Sequence, residues 1–260
     1  MPPTLAHPSL LPFALGKIVV WVLVLTRITG LVAALPGLGQ ERLPLMPRVA
    51  LGLMLAVILA PVVPPPSEIP TGIWHMAGYM VTEMAAGLLM GLFVGWIVEA
   101  VGFAGQLMDT QMGFAFAQFL DPATARPASV SGVMLMQLTI LFIFVSGLHH
   151  QMILALVESY RLVPMGAGLP GNPLQIVSTV GQLLGKGLQL AFPVLFTLFL
   201  IDALQGISAR FMPQLQLMQL AFPLKIGVGL AILGVVLREL FSWLMPLFQA
   251  APREALRFLR

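Results

Sequence analysis

Few residues in this sequence could do chemistry, and their spacing decides what that chemistry could be. The chain has no cysteine, which excludes thiolate metal sites, disulfides and thiol nucleophiles. His149 and His150 are adjacent, and adjacent side chains on a helix point about 100° apart. No H-E-x-x-H pattern accompanies them. The pair therefore favours an interfacial position near a helix end over a metal site, and the sequence predicts no cofactor.

Acidic residues in apolar surroundings suggest two further chemistries. Asp109 and Asp121, with the histidine pair, could serve a membrane-embedded hydrolase or lipid transferase, but no nucleophile and base stand at a workable spacing. Glu83, Glu99 and Asp109 could instead bind a coupling proton or ion in a secondary transporter. Such transporters are built from two similar halves, whereas this sequence repeats itself only in its last third. The transporter stays as an alternative, and an enzyme is not expected.

The composition predicts an integral membrane protein. Hydrophobic residues make up 58% of the chain and charged residues only 9%, far below the roughly one quarter of a soluble domain. About six spans of about 20 residues fit into this length. The formal net charge of +3 comes from scattered residues, so neither a nucleic-acid surface nor a polybasic lipid anchor is expected. The N-terminal segment lacks a basic signal-peptide start, and we expect it to be retained.

Residues 102–126 are too polar for hydrocarbon and too apolar for an ordinary loop. At 100° per residue they form two stripes about a third of a turn apart. The first stripe holds Met108, Met112, Ala115 and Phe119, and the second holds Gly102, Gly105, Asp109, Gly113, Phe116 and Leu120. Pro122 disfavours helix at the residue before it, so we expect this segment to end at Asp121.

Two interpretations of this stretch are open. It could be an amphipathic connector that packs as core, with methionine filling gaps. It could also be a gate, because methionine and phenylalanine side chains can seal a narrow passage, glycines permit movement, and polar groups keep an open passage wettable. The residues alone do not choose between them.

Long apolar segments must position these residues. They cover residues 10–35, 49–63, 74–101 and 128–157. Lys17 and Arg27 lie within the first segment, where cations are costly in lipid, so we expect them to face protein, water or headgroups. Gly87, Gly91 and Gly95 are spaced by four and predict a helix-packing face. Loop arginines are balanced between the two sides, so charge predicts no orientation.

The last third contains a short repeat. The sequence QLAFP occurs at residues 189–193 and again at residues 219–223, each within an apolar segment. It predicts a helical hairpin with a proline kink in each arm, joined by a polar turn over residues 202–213. Lys225 follows the second kink, and we expect it at a subunit contact or a channel-facing site.

The whole chain resembles the FliR family, the R-type subunits of the flagellar type III export gate, which have counterparts in virulence injectisomes. Three stretches carry the resemblance: RITGLVAALPGLG from residue 27, AGQLMDTQMGFAFAQFLDP over residues 104–122, and FMPQLQLMQLAFPLKIGVG over residues 211–229. Two departures occur, since Gln106 stands where many flagellar relatives carry glutamate, and the acid is displaced to Asp109. Met112-Gly113 is closer to the flagellar branch than to the injectisome branch.

The resemblance implies an all-α, membrane-associated protein of helical hairpins, with about six long, Pro-kinked apolar helices and a central plug segment. Residues 1–185 are similar to a P-type subunit, and residues 186–260 are similar to a Q-type hairpin with a basic tail. The implied assembly is a helical export gate at the flagellar basal body in the bacterial inner membrane. Its implied partners are the P-type and Q-type subunits, the B-type and A-type export components, unfolded flagellar substrates and the membrane.

The resemblance also implies two sets of site residues. The family's plug, which fills the export channel, corresponds to residues 105–122. The gate residues are then Gly105, Met108, Asp109, Gln111, Met112, Gly113, Phe114, Phe116, Phe119, Asp121 and Pro122. The expected subunit contacts are Gly87, Gly91, Gly95, Pro193, Pro213, Gln214, Pro223 and Lys225.

Overall fold

The structure, a computed structural model, describes residues 10–37, 44–66, 70, 72–114, 129–168, 172–211 and 217–259. Within these residues the chain forms helices and turns and no β-strand, which confirms the all-α class. The helices are α1 (Leu10–Ala34), α2 (Leu45–Leu59), α3 (Ile73–Met112), α4 (Val130–Val145), α5 (Leu148–Leu162), α6 (Pro173–Phe211) and α7 (Leu217–Arg257).

Turn and capping residues set the ends of several helices. After α1 the chain turns at Pro36 and Gly37, and Gly37 has a left-handed φ of 83°. At the start of α4 the side chain of Ser129 accepts a hydrogen bond from the backbone N–H of Gly132. Before α6, Asn172 Oδ1 accepts a bond of 3.0 Å from the N–H of Leu174. These caps satisfy N–H groups that have no partner within the helix.

The number of helices differs from the prediction of about six Pro-kinked ones. The described residues form seven, and α3, α6 and α7 have 40, 39 and 41 residues. At a rise of 1.5 Å per residue each of these three is about 60 Å long, well beyond one hydrocarbon thickness. The prediction divided the chain into equal spans of about 20 residues, whereas the described helices range from 15 to 41 residues in length.

Two predicted segments have other boundaries in the structure. The apolar run over residues 128–157 is broken where Gly147 adopts a φ of 72°, so α4 and α5 are separate helices. The predicted polar turn over residues 202–213 is wrong up to Phe211, because α6 continues to that residue. Its polar groups suit a helix, since the Ser208 hydroxyl donates a bond of 2.8 Å to the Leu204 carbonyl.

The helices pack as two compact units. The first comprises Met1–Gly95, Gly147–Ile176 and Ala250–Arg260, and the second comprises Trp96–Ser146 and Val177–Gln249. The predicted division after residue 185 concerns likeness to P-type and Q-type subunits and not packing, so it stays a prediction.

Within the first unit, α1 packs on the glycine face of α3. A Cβ at Gly91 would lie 2.6 Å from the Leu31 carbonyl oxygen, and a Cβ at Gly87 would overlap the Arg27 carbonyl oxygen. Only glycine permits two helix backbones to come this close. A Cβ at Gly95 would lie 3.4 Å from the Ala34 carbonyl oxygen, so α1 of the same chain lies along all three glycines. Contact of these glycines with another subunit stays a prediction.

Within the second unit, α6 and α7 form the predicted hairpin, and each contains one copy of the QLAFP repeat. Phe142 on α4 packs edge-on against Phe241 on α7, with ring centroids 3.7 Å apart. A Cβ at Gly187 on α6 would overlap the carbonyl oxygen of Ala100 on α3. The hairpin therefore packs against α4 and against the end of α3, which holds the first of the predicted gate residues.

Apolar length is sufficient for membrane crossing in part of the described chain. Three segments are long and apolar enough to span a membrane, Gly16–Ala34, Ile73–Met112 and Leu174–Ser208, and a fourth results if α4 and α5 count together. Only 22% of the α6 window is buried within the chain. An apolar surface of this size marks a contact with lipid or with other proteins.

Candidate functional site

A buried ion pair joins α1 to α3 in the first unit. Arg27 Nε lies 2.7 Å from Glu83 Oε2, and the two side chains are 0% and 1% exposed. Arg27 also donates to Ser159 Oγ at 2.9 Å and to the Val163 carbonyl at 3.1 Å. Its guanidinium carbon lies 3.9 Å from the centre of the Tyr160 ring. Such complete pairing is what makes a buried guanidinium tolerable, and it confirms that Arg27 faces protein.

The second buried acid, Asp109, caps the next helix of its unit. Its Oδ2 accepts a bond of 2.7 Å from the Ser129 hydroxyl and one of 3.0 Å from the Ser131 N–H. Asp109 is 4% exposed, and its Oδ1 has no hydrogen-bond partner within the described chain. A carboxylate at the first turn of a helix is stabilised by the helix dipole and by free N–H groups. Asp109 therefore fixes the start of α4 to the last turn of α3.

The first half of the predicted gate segment is helical. Residues 105–112 are the last two turns of α3, and Met108 and Met112 are both fully buried. A Cβ at Gly105 would lie 2.5 Å from the backbone nitrogen of Gly132, so α3 and α4 nearly touch there. The members of both predicted stripes from Gly102 to Met112 are buried, while Gln106 and Thr110 lie outside the stripes and are exposed. The described part of the stretch is packed core, as one of the two interpretations holds.

Helix α3 ends at Met112, directly before Gly113, one of the glycines of the predicted gate segment. Gly113 has a φ of 87°, in the left-handed region that favours glycine, and its N–H donates to the Thr110 carbonyl at 3.3 Å. Phe114 and Gln111 are half-buried. The remaining predicted gate residues lie outside the described residues: Phe116, Phe119, Asp121 and Pro122.

Arm α7 covers this end of α3. A Cβ at Gly113 would lie 3.1 Å from the ring of Phe222. A Cβ at Gly229 would lie 2.6 Å from Met112 Cγ. The sequence does not single out Phe222 or Gly229 for this role, because no local pattern shows which helix covers another.

The remaining predicted contact residues are divided between the hairpin and the undescribed turn. Lys225 forms an ion pair with Asp202, so α7 is tied to α6 within the hairpin. Pro193 and Pro223 are exposed within their helices, whereas Pro213 and Gln214 lie outside the described residues. Contact of these prolines with other subunits stays a prediction.

The two adjacent histidines contact each other through their rings. The rings of His149 and His150 are 4.0 Å apart, at the start of α5. In the described part of the chain, no three His, Asp or Glu side chains are placed to hold a metal ion. The polar residues near the gate segment therefore serve in capping and ion pairing.

Taken together, the fold and the site define a helical protein with spans long enough for a membrane, in which buried polar residues hold helices together. The chain belongs to the bacterial export proteins, family 1, whose family model matches residues 18–251.

Named relatives match most of the chain. It is similar to the flagellar biosynthetic protein FliR of Caulobacter vibrioides, with 30% identity over 85% of this chain and 89% of that protein. It is similar to FliR of Bacillus subtilis, with 28% identity over 85% of this chain and 90% of that protein. It is also similar to the Yop proteins translocation protein T of Yersinia pestis, with 27% identity over 85% and 87%.

Proposed function

We propose that the chain is the R-type structural and gating subunit of a flagellar type III protein export channel. In this role it helps unfolded flagellar building-block proteins to cross the inner membrane at the flagellar basal body, and it catalyses no reaction. Its partners are the P-type and Q-type gate subunits, the B-type and A-type export components, and the export substrates.

The observation that carries this proposal is similarity over nearly the whole chain to proteins named for flagellar biosynthesis. The match to FliR of Caulobacter vibrioides covers 224 residues, and the family match runs from residue 18 to residue 251. Apolar segments match easily in any two membrane proteins, but a match of this length includes the gate segment and both arms of the hairpin.

The exposed apolar surface of α6 supports a role inside an assembly. Phe192, Phe196 and Phe199 are each about half exposed, at 58%, 49% and 60%. Aromatic side chains of this size are poorly tolerated in water, so lipid or partner subunits must cover them. The exposed Pro193, on the same helix, belongs to the same predicted contact surface.

We place the gate in residues 105–122, with its base in the buried end of α3. Met108 and Met112 pack this base, and Asp109 ties it to α4. Phe114, Phe116 and Phe119 complete the proposed seal. This arrangement combines the two interpretations of the stretch, because a gate that moves at one end must be held by core packing at the other.

The burial of Glu83 argues against one of the three acids that the alternative, a self-sufficient transporter, would use. A carboxylate that binds a coupling ion must be reachable from water, whereas Glu83 is 1% exposed and paired with Arg27. Its pairing in the first unit gives this acid a structural role instead.

Coexpression tests the proposal. With the P-type and Q-type subunits the chain should purify in one particle, and without them it should aggregate or be degraded, because its apolar faces stay uncovered. Deleting its gene should stop secretion of flagellar filament protein, and the parent gene should restore it. A stable, monodisperse monomer, or normal secretion after the deletion, would contradict the proposal.

A second candidate is the same role in a virulence injectisome, which the similarity to the Yop translocation protein favours. In that case deletion of the gene would leave flagellar secretion intact and abolish secretion of injectisome effectors. Measuring both secretions in one deletion strain separates the two candidates.

A further inference from the structure

Two contacts connect α7 to the end of α3 in the second unit. At Gly229 the absence of a side chain leaves room for Met112, whose Cγ, Sδ and Cε would lie 2.6, 3.0 and 3.1 Å from a Cβ there. At Gly113 the ring of Phe222 lies where a side chain would have to fit, at 3.1 and 3.2 Å. Met112 and Gly113 are consecutive, so α7 meets the point at which α3 stops being helical.

One face of α7 makes both contacts. Phe222 and Gly229 are seven residues apart, which is close to two helical turns, so they point in the same direction. Lys225, on the same side between them, pairs with Asp202 of α6. Phe222, Lys225 and Gly229 therefore lie along one side of α7.

Other glycines of α7 show that the gap at Gly229 is specific. A Cβ at Gly227 or at Gly234 would meet no atom within 4 Å. Gly229 is buried, whereas Gly227 and Gly234 are exposed. Glycine in a helix interior is unfavourable relative to alanine, and only at Gly229 does a close neighbour account for it.

We propose that α7 is the positioning element of the gate. Gly229 seats Met112, Phe222 closes over Gly113, and the Asp202–Lys225 pair holds the arm in place, so that the base of the gate segment stays in its resting position. This inference rests on the proposed function and extends it, because it assigns control of the gate to the C-terminal hairpin of the same chain.

Alanine substitution at the seat is the first test. Gly229→Ala should displace Met112, because the added methyl group overpacks a tight site. It should raise the resting ion conductance of cells roughly tenfold, the change in an equilibrium that corresponds to about 1.4 kcal/mol. Gly227→Ala adds the same methyl group to the same helix without a neighbour and should leave conductance at the parent level. Equal conductance for the two variants, with assembly confirmed by copurification, would overturn the proposal.

A compensating substitution separates seating from general damage. In Gly229→Ala combined with Met112→Ala, the added methyl group has room, so the leak should fall below that of Gly229→Ala alone. Substitutions that act independently give additive effects. An additive leak in the double variant would therefore overturn the direct contact between the two positions.

A disulfide test covers the case in which Gly229→Ala fails to assemble. The chain has no cysteine, so Met112→Cys with Gly229→Cys offers a single pair. The close approach at this site suits disulfide geometry, and oxidation of the resting complex should link the two positions. Met112→Cys with Gly227→Cys should stay unlinked. Failure of the first pair to link would overturn the proposal.

Deleting residues 110–114 distinguishes this inference from the proposed function. If the deletion raises the resting ion conductance and Gly229→Ala does not, the gate assignment is supported and the proposed role of α7 is wrong. If the assembled deletion variant stays sealed, the gate itself is wrong.

Discussion

The carboxylate of Asp109 accepts a hydrogen bond of 2.7 Å from the hydroxyl of Ser129, twenty positions along the chain. These two residues stand on either side of the part of the gate segment that α3 does not include. The bond therefore ties the last turn of α3 to the residue that caps the start of α4.

Loss of this cap should loosen the base. Asp109→Ala removes the acceptor for Ser129 and Ser131 and should lower the stability of the second unit by about 1–2 kcal/mol. Asp109→Asn keeps one acceptor oxygen and should be milder. The measurement is the temperature at which purified gate complexes lose this chain. Gln106→Ala, at an exposed position, is the control. If the two variants lose this chain from the complex at the same temperature, the cap does not stabilise the complex.

The buried ion pair should be more sensitive than any surface pair. Arg27→Met leaves the carboxylate of Glu83 buried without an opposite charge and should destabilise the chain by about 3–5 kcal/mol. The measurement is the amount of the chain in the membrane, which should fall. The double variant Arg27→Met with Glu83→Leu should recover much of the lost stability, since neither charge of the pair stays buried. Arg161→Met, which breaks the exposed pair with Glu158, is the control and should change stability by about 0–1 kcal/mol. If the Arg27→Met variant is present in the membrane in the same amount as the parent chain, the ion pair has no structural role.

Much of the fold could be predicted from the sequence because it depends on composition and local periodicity. The all-α class and the C-terminal hairpin follow from patterns within a few helical turns. The same periodicity groups Met108, Met112 and Asp109 into two stripes, but it does not show that all three are buried. Arg27 was expected to face protein, water or headgroups because a cation is costly in lipid, and only the structure shows that it faces protein.

Contacts between distant positions could not be predicted in this way. Glu83 is 56 positions from Arg27, and nothing local distinguishes it from Glu99, which is exposed. Gly229 is one of several glycines in α7, and only the path of α3 makes it a seat for Met112. The break at Gly147 was missed because apolar residues continue on both sides of it.

The ion pair in the hairpin should respond to exchange of its charges. Lys225→Glu places two carboxylates together and should reduce assembly and export. Adding Asp202→Lys restores an opposite pair and should recover both, because the contact lies within the hairpin. Lys186→Glu, the same charge change at an exposed position of α6, is the control. If the exchange does not restore export while Lys225→Glu abolishes it, Lys225 acts through another subunit.

The gate segment itself should determine whether the resting channel is sealed. A channel that passes an unfolded protein would also pass ions, so the closed state must be blocked by side chains that can part and pack again. Deleting residues 110–114 removes Met112, Gly113 and Phe114 and should raise membrane conductance and slow growth without any export substrate. Met112→Ala should leak less, because neighbouring side chains can partly fill the gap it leaves at Gly229. Conductance is compared in cells whose gate complexes have been confirmed by copurification. If the stretch only packs against its neighbours, the deletion will abolish the complex without a leak. If the complex assembles and stays sealed after the deletion, these residues are not the gate.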